Sequence, residues 1–165
     1  MQTYPILYLN KKDLFVLKLI GELRFNIAPT LENVLKLSNP YEAKKDILID
    51  MTQTTMVDST VLGTLLNFFL SEDNRILFTQ EPPSIVCNND DIKRILRDIG
   101  INQLFLVKEY DERLAEIWDE YTMVEENMVE KDVIEECIRH SHLTLSQLHR
   151  PSRDMDLVVR TLKDK

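Results

Sequence analysis

The run Asp46-Ile47-Leu48-Ile49-Asp50-Met51 narrows what this chain can fold into more than any other segment. A half-exposed strand alternates apolar and polar residues, because successive side chains point to opposite faces. Ile47-Leu48-Ile49 has no polar residue to spare for a wet face, so it reads as a strand buried on both faces, as in α/β sheets. A polar stretch, Thr52 to Ser59, reads as the loop that follows. Thr60 to Leu70 then sets Leu62, Leu65, Leu66 and Phe69 on one side of a helix.

The rest of the chain supplies partners for that strand. Tyr4–Leu9 and Leu14–Ile20 are apolar runs joined by the polar turn Asn10-Lys11-Lys12-Asp13, the pattern of a hairpin. Ile27–Leu37 has helical spacing, with Pro29 tolerated only in the first turn. Arg75–Thr79 suits either a continued helical stripe or a strand. Ser84–Cys87 reads as a short strand. A helix over Asp91–Ile99, capped by Asn89 or Asp90, stops at Gly100. Gln103–Val107 reads as a last strand, and Tyr110–Tyr121 as an acidic helix with Leu114, Ile117, Trp118 and Tyr121 on one side. These elements predict a mixed α/β domain over residues 1–121, with a central sheet of about five strands and helices mostly on one face. A helical C-terminal extension over 122–165 follows.

Charge and glycine content exclude several functions. With 20 basic and 28 acidic residues the net charge is −8, which offers no basic face for nucleic acid. The acidity is local: Glu109–Glu136 holds twelve acidic and two basic residues, a net of −10. Only three glycines occur, no two closer than 37 residues, so no glycine-rich loop can cradle a phosphate. His140 and His142 are two apart, which is not the three- or four-residue spacing of helical zinc ligands. No Gly-x-Ser-x-Gly elbow is present. The chain is therefore expected to have no catalytic centre, metal or cofactor. It has no apolar run of spanning length and no signal-peptide layout at its start. Cys87 and Cys137 read as buried thiols, so a cytoplasmic protein is expected.

The segment that carries chemistry is Met56-Val57-Asp58-Ser59-Thr60-Val61-Leu62-Gly63. Asp58-Ser59-Thr60 opens the apolar helix. One reading is an N-cap, since Asp and Ser oxygens accept the orphan N–H groups of a first turn. The other is a phosphate acceptor at Ser59, because free amides and the macrodipole favour a phosphoserine at a helix N-terminus. Here the chain resembles the STAS domain family, the sulfate-transporter and anti-sigma-factor-antagonist domains. Asp58-Ser59-Thr60-Val61-Leu62-Gly63 is similar to that family's Asp-Ser-Ser-Gly-Leu-Gly motif. The order of elements from Tyr4 to Tyr121 is similar too, with Gly21-Glu22-Leu23 closing the hairpin and Gly100-Ile101 following the later helix.

The resemblance implies an anti-sigma factor antagonist, or anti-anti-sigma factor, that is not an enzyme. Its serine, Ser59 here, is phosphorylated by an anti-sigma factor that is also a serine kinase, and a serine phosphatase resets it. The unphosphorylated form binds the kinase and releases a sigma factor. Val61 replaces the family's usual glycine, and Arg24 stands where many phosphorylated members carry Asp after Gly-Glu-Leu. The expected partner surface is Asp58, Thr60, Met56 and Val57, exposed positions Thr64 and Asn67 of the following helix, and Arg24. An alternative from another class is a STAS subunit of a membrane transporter complex, binding its partner without phosphorylation. A sensory, ligand-binding STAS domain is a third, which the scarcity of glycine and the lack of a basic cluster disfavour. The apolar content of the extension (Trp118, Tyr121, Ile134, Ile138, Leu145, Leu148, Leu157, Val158 and Leu162) predicts that it packs on the core or forms a homodimer.

Overall fold

Leu9 lies opposite Val16 and Tyr8 opposite Leu17 in an antiparallel hairpin of β1 (Ile6–Asn10) and β2 (Leu14–Leu23). The protein is seen in a computed structural model that describes residues 4–38, 45–70, 82–117, 120–126 and 128–148. After a 3₁₀ turn at Phe25–Ile27 come α1 (Ala28–Ser38), β3 (Asp46–Val57), α2 (Ser59–Phe69) and β4 (Ser84–Val86). Then follow α3 (Asp90–Ile99), β5 (Leu106–Lys108), α4 (Glu112–Ala115), β6 (Thr122–Val124) and α5 (Lys131–Leu148). The strands form one mixed six-stranded sheet, order β5-β4-β3-β2-β1-β6. The β2–β3, β3–β4 and β4–β5 pairs are parallel, and β1 is antiparallel to both its neighbours.

β3 is buried on both faces, as Ile47-Leu48-Ile49 requires. Ile47, Ile49 and Met51 point with Phe15, Leu17 and Leu19 into the main core, under residues of α1, α2, α3 and α5. Leu48 points the other way, with Leu9, Val16 and Val86, and is covered by Ile117, Leu114 and Tyr121. The Tyr121 phenol is pushed up to about 12, first by burial and then by the charge of Asp50.

Several boundaries differ from the sequence reading. Thr52–Val57, expected as loop, continues β3 alongside Ile20–Leu23. The threonines conceal the strand in a hydropathy pattern, but they are β-branched, and Thr54 donates its hydroxyl to the Leu19 carbonyl at 2.8 Å. Two register shifts accommodate this extension, and Gly21 at the second has φ +79°, a left-handed backbone that suits glycine. The strand expected over Gln103–Val107 is the edge strand β5 and begins at Leu106, because Ile101–Gln103 forms a 3₁₀ turn that delivers Ile101, Leu104 and Phe105 to the core. The acidic helix expected over Tyr110–Tyr121 is one turn, Glu112–Ala115. Spacing of Leu114, Ile117 and Tyr121 that fits a helix here serves a strap laid across the second face of the sheet. Residues 122–124, expected within a helical extension, pair with β1 as an edge strand. Arg75–Thr79, Trp118 and everything after 148 lie outside the described residues.

Asp111 anchors the strap. Its buried carboxylate accepts from the Arg113 side chain at 3.0 and 2.9 Å, from the Arg113 amide at 3.0 Å and from Lys108 at 3.1 Å. The Arg113 side chain, more than any other group, holds this carboxyl far below its usual value of 3.8. A depressed folded pKa means that the stabilisation is present above pH 3.8 and disappears as pH falls through the folded value. Asp111→Asn is therefore expected to lose about 1.5 kcal/mol at neutral pH, towards the low end for charged hydrogen bonds because Arg113 is partly in water. Urea titrations should show the gap between variant and wild type closing below pH 4.

Candidate functional site

The β2–β3 ladder ends at Leu23 opposite Val57, and the Asp58 amide donates to the Leu23 carbonyl at 3.0 Å. Asp58 is still extended, with φ −93° and ψ 169°, and Ser59 is the first residue of α2. The first amides of a helix lack intrahelical acceptors. Asp58 Oδ1 accepts the Val61 N–H at 3.0 Å, so the N-cap reading of Asp58 describes its geometry. That leaves the neighbouring hydroxyl to act separately. Ser59 is exposed at the tip of the strand–helix corner, and its Oγ lies 3.1 Å from His142 Nε2 on α5.

α5 explains why α2 has almost no wet face. Leu62, Leu65, Leu66 and Phe69 belong to the sheet-side core. The opposite stripe is Thr60, Gly63, Thr64 and Asn67, at the i, i+3, i+4, i+7 spacing of one helix face. Against it α5 sets Ser141 and Thr144. Ser141 Oγ donates to the Thr60 carbonyl at 2.9 Å and lies 3.3 Å from Thr64 Oγ1, which itself donates to that carbonyl at 2.8 Å. Thr144 Oγ1 bonds Asn67 Oδ1. Gly63 makes the approach feasible: a Cβ built there would stand 2.6 Å from Ser141 Cα and 2.7 Å from its carbonyl oxygen. Helix axes normally pass 8–10 Å apart, and small residues are what allow a closer crossing.

The seam is polar, made of hydroxyl and amide groups. Gln147 is buried on α5, and among the described residues neither polar atom of its amide has a partner. A buried amide without a partner costs about 1–3 kcal/mol. Leu145 is the one α5 side chain in the main buried cluster. Cys137 lies half-buried near α1, where burial, with Glu32 and Glu136, pushes its thiol up. Burial pushes the Cys87 thiol up as well, the direction opposite to that of an activated cysteine.

The expected partner surface is thus divided. Met56, Asp58 and Ser59 stay at least partly open, while Val57 and Thr60 are buried. Thr64 is 5% exposed, and Asn67 is engaged by Thr144, so neither is the exposed position expected of it. The reason is α5, which covers them. Arg24 follows the end of β2 beside this corner, with its guanidinium paired to Glu22 at 3.1 Å. From the sequence, His142 is weighed only beside His140 as a metal ligand, because its contact with Ser59 across 83 residues leaves no local pattern. A weaker signal existed in the small-residue stripe of α2, whose spacing marks a helix-packing face.

The family model for the STAS domain matches residues 6–116, well over half of the chain. The chain belongs to the STAS domain family. No curated protein sequence matches it. The structure of the anti-sigma factor antagonist SpoIIAA in its unphosphorylated form is similar with a TM-score of 0.50 at 12% identity, over 69% of this chain and 94% of that one. The phosphorylated form of SpoIIAA, a Bacillus cell fate determinant, matches with a TM-score of 0.47 at 11% identity, over 70% of this chain and 100% of that one. At such identities the likeness is one of fold. The STAS match ends before β6 and α5, so His142 and the α5 side of the seam lie outside the matched region, while the α2 side lies within it. Among the described residues of this STAS protein no helix is long and apolar enough to cross a membrane.

Removing the cap tests the corner directly. Asp58→Ala is expected to lower stability by about 1 kcal/mol in urea denaturation. Asp58→Asn keeps an acceptor oxygen and should stay within about 0.5 kcal/mol of wild type.

Proposed function

We propose that this STAS protein is an anti-sigma factor antagonist, a binding switch rather than an enzyme, controlled by phosphorylation of Ser59 in the cytoplasm. The observation that carries the reading is the exposed Ser59 hydroxyl at the first position of α2, next to an Asp58 already committed to the Val61 amide. An anti-sigma factor with serine-kinase activity transfers the γ-phosphoryl group of ATP to Ser59 Oγ. ADP leaves, and the hydroxyl proton goes to a base of the kinase. Hydrolysis by a serine phosphatase returns the hydroxyl and inorganic phosphate. The phosphate adds about −1.5 to −2 charge and three acceptor oxygens at the centre of the docking corner. Asp58, Met56, Val57, Thr60 and Arg24 border that corner, with Thr64 and Asn67 further along α2. The unphosphorylated form binds the anti-sigma factor and so releases the sigma factor.

Mass spectrometry of the protein from its own cells should place phosphate on Ser59. Against the kinase purified from the same cells by its Ser59-phosphorylating activity, Ser59→Asp is expected to bind at least about tenfold more weakly, a loss of roughly 1.4 kcal/mol, while Ser59→Ala binds like the unmodified protein. Phosphate found only elsewhere, together with equal binding of both variants, would turn the reading towards a transporter subunit that docks without phosphorylation.

A further inference from the structure

The helix face that continues from Ser59, made of Thr60, Gly63, Thr64 and Asn67, is occupied by the protein's own α5. A partner that docks along α2 must therefore take the place of α5. We propose that α5 is a removable cover over this face, and that a phosphate on Ser59 holds the cover shut through His142. The proposal rests on the switch reading of Ser59.

Three features suit the seam to opening. Its direct contacts are hydroxyl and amide hydrogen bonds, which water or a partner can replace. α5 also buries the Gln147 amide, for which neither polar atom has a partner among the described residues, so opening loses no hydrogen bond there. Its closest approach, at Gly63, is a matter of shape and leaves no chemical bond to break. The same shape restricts what replaces α5: a helix that meets Gly63 with a small residue and offers hydroxyl or amide groups to Thr60, Thr64 and Asn67.

The Ser59–His142 contact supplies the latch. With a free hydroxyl it is one hydrogen bond of 3.1 Å. A phosphate there offers three oxygens, and an imidazole N–H donates to one of them in a charge-assisted bond. Arg139 lies three residues before His142 on α5, within one turn and on the same side, where its guanidinium now pairs with Glu136. Phosphate thus binds the tip of α2 more firmly to α5. The unphosphorylated protein opens more readily, and its docking face is the one a partner can reach.

Hydrogen exchange of the full chain, read by mass spectrometry, tests both halves. Phosphoserine installed at position 59 during translation removes any need for the kinase. It is expected to slow exchange of residues 131–148 by about fivefold or more, and His142→Ala is expected to abolish that slowing. Ser141→Leu, which changes only the cover, and Gly63→Ala are each expected to speed exchange of 131–148 by about tenfold. Exchange of the β3 segment, 46–57, should stay unchanged, which shows that the sheet remains folded. The proposal is overturned if phosphoserine leaves 131–148 unchanged, if the slowing survives His142→Ala, or if Ser141→Leu leaves α5 as protected as before. Phosphate mapping in the native cells is a separate measurement, so a failed latch and a failed switch give different results.

Discussion

β3 pairs with β2 along nearly its whole length, from Asp46 opposite Leu14 to Val57 opposite Leu23, and everything functional hangs from that ladder. A parallel pair has to be closed by a crossover, and α1 is that crossover. Because the pair ends at Leu23 and Val57 together, Asp58 is fixed by its bond to Leu23 at the point where the chain must turn. The turn makes Asp58 a cap and puts Ser59 outside it. The serine's exposure is thus a consequence of strand length, and the two register shifts, with Gly21 in a left-handed conformation, set that length.

The parts of the fold legible in the sequence are those in which local pattern and burial agree. Ile47-Leu48-Ile49 declared a strand covered on both faces, and its two cores follow. Asn89 and Gly100 bracket α3 through a side-chain cap and a φ of +93°, features that depend on residue type alone. The motif Asp58-Ser59 was legible for the same reason. Illegible were elements decided by neighbours. Thr52–Val57 carries little hydropathy and becomes strand only because β2 offers it a ladder. Leu114, Ile117 and Tyr121 have a spacing shared by a helix and a strap, and the sheet's second face chose the strap. The exposure expected of Thr64 and Asn67 failed because α5 covers them from beyond the matched STAS region.

α2 therefore answers to two demands at once. Its sheet side is aliphatic and aromatic, and belongs to the main core. Its outer side is small and polar, with Gly63 accepting a reduced helix propensity, about 1 kcal/mol against alanine, for the sake of close approach. An apolar outer face would hold α5 more tightly and would be hard to expose to water. The small, hydroxyl-rich stripe can be buried or wet at modest cost, which is the property a face needs if it is to change occupants.

The bond between Ser141 and the Thr60 carbonyl joins residues 81 apart in sequence, which orders events while the chain is being made. Synthesis runs at about 5–20 residues per second, so roughly 4–16 s separate the emergence of Thr60 from that of Ser141. Through most of that interval the hairpin, β3 and α2 are already outside the ribosome, while the helix that covers Gly63 is not complete. Every newly made molecule thus begins with this face of α2 open and acquires its cover seconds later.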